Sequence, residues 1–184
     1  MADALVGVVG GSGLYTLMRD AAPCTVTTPY GPHSDGLVVG VWAGRDVAFF
    51  PRHGLGHTNP PHRINYRANV AALRDAGITD ILAVTAVGGI GPEAGPGVMV
   101  VPDQIIDYTY GREHTFYDGM GAAVDHVDFT QPYSEALRQL LQQSGLDQGR
   151  IARVSGHADR TPVTANPMAG RNNRIKVILL RSDR

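Results

Sequence analysis

Apolar residues recur along this chain in two rhythms. Residues 4–10, ALVGVVG, are an unbroken apolar run and predict a buried strand. The stretch LVVGVWAGRDVAFFP (37–51) predicts two strands around a turn at Ala43–Asp46. INYRANVAALRDAG (64–77) changes period: Ile64, Ala68, Ala71, Ala72 and Asp75 lie at helical spacing, and Gly77 is placed to cap the end. TDILAVTAVGG (79–89) predicts a buried strand that runs into a glycine loop. VMVVPDQIID (98–107) predicts a further strand. PYSEALRQLLQQSG (132–145) predicts an amphipathic helix with Leu137, Leu140 and Leu141 on one face and Gly145 at its end. Strands alternate with helices, so the expected class is α/β, with a mixed, twisted central sheet flanked by helices.

Composition narrows the functional classes. The 184 residues suffice for one domain with a real core. A net charge of −1, with both signs interspersed, gives no reason to expect a nucleic-acid or membrane partner. The one cysteine, Cys24, excludes an intrachain disulfide and fits a reducing compartment. The short apolar run near the N-terminus lacks the flanks of a signal peptide, so a cytoplasmic location is expected. The 23 glycines point to long loops around a site.

Ligand sites in α/β sheets collect outside strand ends. Three segments leave predicted strands there: GGSG (10–13), PRHGLGH (51–57) and TAVGG (85–89). The first is no dinucleotide fingerprint, because Thr16 stands where the third glycine belongs. It also lacks the Lys-Ser or Lys-Thr of a nucleoside-triphosphate loop. It suits an anion, through backbone N–H groups and the Ser12 hydroxyl, or it is a plain strand-to-loop turn. Arg52 offers a forked guanidinium, His53 a further donor, and Thr85 a hydroxyl followed by backbone N–H groups. Together these converge on an oxyanion, most simply phosphate. His53 and His57 are four apart, but Pro51, Gly54 and Gly56 oppose the helix that a metal pair needs, and no third ligand is evident, so no metal is expected. YGREHTFYDG (110–119) is either a solvated loop or a binding loop. Asn65 and Tyr66 are expected to cap and pack at a helix start.

GVVGGSGLY, PRHGLGH, HRINYRANVAAL, TAVGGI and FYDG, in this order, resemble the trimeric purine nucleoside phosphorylases, in the branch of the methylthioadenosine and methylthioinosine phosphorylases. The resemblance runs from about residue 5 to about residue 145. The TAVGGI glycines and the DYTYGREHTFY loop look closer to methylthioinosine phosphorylases. The resemblance implies a pentosyltransferase in which phosphate attacks C1′ of a purine nucleoside, best 5′-methylthioinosine, to release base and 5-methylthioribose 1-phosphate. Methylthioadenosine or purine nucleosides in general are the alternative substrates, and a non-catalytic phosphate-binding remnant is the alternative of another class. By family position Ser12, Arg52, His53, Thr85 and the Ala86 N–H hold phosphate, and His126 closes a neighbouring subunit's pocket in a homotrimer. Phosphate is a co-substrate; no organic cofactor, metal or covalent intermediate is implied, and no acid–base residue is identified.

The resemblance stops before the end of the chain. Residues 1–153 correspond to the N-terminal part of a phosphorylase domain, whereas 154–184 lack the family's Gly-Pro-Arg and Gly-Met-Thr segments. Arg160–Val163 and Leu179–Arg184 can be encoded so that a frame one nucleotide later spells Gly-Pro-Arg-Leu and Cys-Cys-Asp-Leu-Ile-Gly. The expectation is a truncated phosphorylase, its tail either frameshifted or a divergent natural ending, of low activity and low stability, incomplete at its C-terminus and without the residues that read the base.

Overall fold

A computed structural model describes residues 5–11, 21–92, 94–118, 123, 125–144, 151–152 and 179–180. The chain divides into two compact units. The first takes in Met1–Val84, Thr109–Val127 and Ser182–Arg184; the second takes in Thr85–Tyr108 and Asp128–Arg181.

The first unit carries strands β1 (Leu5–Gly10), β2 (Ala22–Pro23), β3 (Val38–Trp42), β4 (Arg45–Pro51) and β5 (Ile78–Ala83), with helix α1 (Tyr66–Asp75) before β5. Their order across the sheet is β2-β3-β4-β1-β5. β1 is parallel to both β4 and β5, while β2, β3 and β4 pair antiparallel, so the sheet is mixed, as the alternating pattern predicts. β4 is apolar over five consecutive residues because both faces are covered. Ala48 and Phe50 join Leu37, Leu73 and Ile78 in one cluster, and Val47 and Phe49 join Val8 in the other. Cys24 packs at the edge of the first cluster as a free thiol.

The β3–β4 turn is tighter than predicted. Arg45 and Asp46 already belong to β4, which leaves Ala43 and Gly44, both at positive φ (51° and 77°), as a two-residue hairpin loop whose twist matches the strands. α1 also starts later than its apolar spacing suggests. Ile64 is extended, and Asn65 is the N-cap, its side-chain oxygen accepting from the Ala68 N–H at 3.1 Å. At the other end the Gly77 N–H donates to the Arg74 carbonyl. β5 is half-buried rather than buried, with only Ile78 enclosed.

In the second unit β6 is Met99–Val100 alone, paired in parallel with β7 (Ile151–Ala152); β8 is Leu179–Leu180. The expected strand over 98–107 is cut short at Pro102, which has no N–H for a ladder. Helix α2 (Glu135–Gln143) starts at Ser134, whose hydroxyl accepts from the Leu137 N–H. Its buried residue is not the expected leucine. Leu140 is 62% exposed, whereas Arg138 is buried, its Nε donating to the Pro102 carbonyl at 2.8 Å and its NH1 to Glu135. Those two acceptors, one of them a carboxylate, engage its Nε and NH1 and offset part of the cost of burying the charge. Gly145, the expected helix end, lies outside the described residues. Among the described residues no helix is long and apolar enough to cross a membrane.

Candidate functional site

Three parallel strands finish together in the first unit. Gly10 is in register with Pro51, Val9 with Ala83, and the Val84 N–H continues to the Val9 carbonyl at 2.8 Å. Arg52 is the first residue beyond β4, and its N–H donates to the Gly10 carbonyl at 3.2 Å. Its guanidinium lies across all three strand ends. NH1 donates to the Val84 carbonyl after β5 at 3.2 Å, and a Cβ placed on Gly11 after β1 would come within 3.6 Å of NH2. Nε donates to Nε2 of His53 at 3.2 Å.

His53 is itself fixed. It is 8% exposed, and its Nδ1 lies 2.9 Å from the Asn59 carbonyl. The His57 ring stacks on it, centroids 4.5 Å apart and 21° between planes. The two histidines face each other as stacked plates, and both nitrogens of His53 have protein partners, which is not the disposition of a metal pair.

A buried polar network that the sequence did not reveal holds Arg52 from behind. The Ser34 hydroxyl donates to the Arg52 carbonyl at 2.8 Å. The Ser34 N–H donates to Oδ1 of Asn69 at 2.8 Å, and Nδ2 of Asn69 donates to the Ser34 hydroxyl at 3.2 Å. Ser34 and Asn69 are both buried. The one available signal was Asn69 itself, a polar residue amid the small apolar positions Ala68, Ala71 and Ala72 of the inward helix face.

The loop YGREHTFYDG is anchored over its described part. Arg67, in the first turn of α1, pairs with Glu113 and with Asp118 at 2.9 Å and lies over the Tyr30 ring. Phe116 meets Tyr30 edge-on at 5.1 Å, and Arg112 lies 4.7 Å over Tyr66. α1 has no acidic residue in its first turn, and a cation there opposes the helix dipole; the two loop carboxylates supply the missing negative charge.

The remaining candidate residues are placed less tightly or not at all. Thr85 and Ala86 lie in the second unit, where the Thr85 hydroxyl donates to the Ala86 carbonyl at 3.4 Å. His126 is exposed. Ser12 lies outside the described residues. The second unit also has its own polar cleft of about 380 Å³, bordered by Gln104, Thr130, Tyr133 and Arg138. Tyr133 is 4% exposed there and its hydroxyl has no partner among the described residues; burial pushes its phenol up to about 12.

A mixed α/β sheet with a guanidinium clamped at the carboxyl edge of its parallel strands defines a class of fold that receives ligands at that edge. The chain belongs to the phosphorylase superfamily, whose model matches residues 5–165. It is 52% identical over 134 residues to a purine nucleoside phosphorylase of Streptomyces coelicolor, covering 70% of this chain and 48% of that protein. It is 49% identical over 144 residues to a probable S-methyl-5′-thioinosine phosphorylase of Xylella fastidiosa, covering 77% and 61%. The chain thus spans about half the length of such relatives. Among solved structures it resembles methylthioadenosine phosphorylase from Schistosoma mansoni in complex with adenine, with a TM-score of 0.73, 36% identity, and coverage of 83% of this chain and 64% of that one.

Proposed function

We propose that this chain carries the phosphate half-site of a purine nucleoside phosphorylase, with 5′-methylthioinosine as the preferred nucleoside. The observation that carries this reading is the Arg52 guanidinium fixed across the ends of β1, β4 and β5. A forked, always-charged donor set at a strand-end edge is matched to a tetrahedral dianion. The names of the relatives support the purine nucleoside, and the methylthioinosine enzymes among them support the finer choice.

In the reaction one phosphate oxygen forms a bond to C1′ as the bond from C1′ to the base nitrogen breaks. The base leaves with the electron pair and takes a proton, and a pentose 1-phosphate results. The transition state resembles that of glycoside cleavage, with positive charge at C1′ and negative charge on the base. A phosphate held beneath the sugar both attacks and neutralises the developing cation. Arg52 is its principal anchor, and the family resemblance gives Ser12, His53, Thr85 and the Ala86 N–H a part in holding phosphate as well. The chemistry asks for no metal or organic cofactor, since phosphate is itself the nucleophile. His126 serves a neighbouring subunit's nucleoside pocket in a homotrimer.

Base release from 5′-methylthioinosine, followed with and without phosphate, tests the reading. Release that requires phosphate supports it. Release without phosphate identifies a hydrolase, and phosphate binding without any release identifies a non-catalytic remnant. Parallel assays with 5′-methylthioadenosine and inosine decide the base and the 5′ group.

A further inference from the structure

We infer that the His53 side chain is a positioning group: it aims Arg52 at the anion, and its ring does not itself donate to the ligand. This rests on the phosphate reading above and assigns His53 a different part within that group. A carbonyl oxygen only accepts, so the 2.9 Å contact to Asn59 requires the proton of neutral His53 to sit on Nδ1. Nε2 then presents a lone pair, and the Arg52 Nε–H points at it from 3.2 Å. The neutral ring has no second N–H to give a ligand.

The surroundings hold the ring in that role. The Asn59 N–H returns to the His53 carbonyl at 2.8 Å, so residues 53–59 close into a ring of backbone around the imidazole. Gly54 sits at φ 74°, where a Cβ would come within 3.0 Å of the Asn59 side chain, so the loop closes tightly only on glycine. His57 adopts φ 58°, an uncommon conformation for a residue with a side chain, and its ring stacks on His53. The plane of the imidazole is thus set from three sides. Through Nε2 it sets the plane of the guanidinium, whose NH1 is fixed separately by the Val84 carbonyl. A forked ligand is selective only while its plane is held, and holding it in advance removes the cost of ordering a long side chain at binding.

Two measurements on the 184-residue chain test this. The first needs no ligand. In a long-range proton–nitrogen spectrum of nitrogen-15-labelled protein at mildly alkaline pH, assigned by loss of the signal in His53→Ala, His53 should appear as a single tautomer protonated at Nδ1. An Nε2–H tautomer, or the averaged mixture of a free imidazole, overturns the inference. The second is a double-mutant cycle read as affinity for inorganic phosphate. His53→Ala should weaken phosphate binding about tenfold when Arg52 is present, and by less than about twofold in an Arg52→Ala background. Equal weakening in both backgrounds makes His53 a direct ligand and overturns the inference. His53→Asn, which keeps a donor near Nδ1 but cannot reach Arg52, should behave like His53→Ala; wild-type affinity in that variant also overturns it. If the wild-type chain shows the Nδ1–H tautomer yet binds no phosphate, the phosphate reading fails while the Arg52–His53 arrangement stands.

Discussion

Asn69→Ala should destabilise the first unit far more than its place on an alanine-rich helix suggests. Asn69 is 6% exposed and Ser34 is 3% exposed. Truncation removes the acceptor of the Ser34 N–H at 2.8 Å and the donor to the Ser34 hydroxyl at 3.2 Å. Water does not reach the stranded N–H, so the variant bears its desolvation penalty, about 1–3 kcal/mol. The vacated amide volume adds to the loss, and the better helix propensity of alanine returns about 0.5 kcal/mol. The net expectation is a loss of about 2 kcal/mol, a large share of the 5–15 kcal/mol typical of a domain. Urea unfolding followed by far-ultraviolet circular dichroism measures it as a lower midpoint at unchanged slope. Ser34→Ala keeps the backbone N–H but removes the hydroxyl that accepts from Asn69 Nδ2, and it also strands the Arg52 carbonyl. The double variant should therefore lose about 1 kcal/mol less than the sum of the singles. A change within about 0.5 kcal/mol for Asn69→Ala, as for an ordinary surface residue, would refute the network.

Tyr133→Phe should raise stability by about 1 kcal/mol, because it deletes a buried hydroxyl that has no partner among the described residues. The same substitution should flatten the alkaline limb. The Tyr133 phenol is raised by burial from 10.0 to about 12, so the unfolded chain gives up its proton first and stability falls between those pH values in the parent but not in the variant. A parallel fall in both proteins argues against it. Arg67→Ala should release the loop at 112–118, read as roughly tenfold faster tryptic cleavage after Arg112, since two charge-assisted contacts are lost; an unchanged rate would show that the aromatic contacts suffice. Arg52→Ala should raise the phosphate requirement at least tenfold while nucleoside affinity changes little, and an unaltered dependence on phosphate would remove Arg52 from the site.

Features set by neighbouring residues were legible in the sequence. The β1 run, the α1 period, the Asn65 cap and the glycine beyond α1 each depend on contacts within a few positions, and each stands where the pattern placed it to within two residues. The mixed sheet followed from the alternation of strand and helix. Arg52 and His53, the centre of the proposed site, stood out because a strand pattern ends at Pro51 and polar chemistry begins at the next residue. What failed has two causes, a distant partner in α2 and a breaker passed over within 98–107. Leu140 carries the apolar signature of a buried position, yet Arg138 is the buried residue because the Pro102 carbonyl, 36 residues earlier, accepts from it. The strand expected over 98–107 has the apolar content of β4, but Pro102 denies it a ladder.

The same distinction separates the two parts of the phosphate group. A motif identifies chemical groups but not the direction in which they point. In PRHG the adjacent arginine and histidine read as two donors to one anion. Folding turns the histidine toward Asn59, which is six residues on, and so makes it an acceptor for its own neighbour. The proton on Nδ1 is decided by a backbone carbonyl in a loop closed by glycines, and no side-chain pattern in the motif specifies it. In the proposed site, two residues that look equivalent in sequence thereby take the parts of a ligand and its support. The unequal response to substitution expected of them follows from which nitrogen of one imidazole bears the hydrogen.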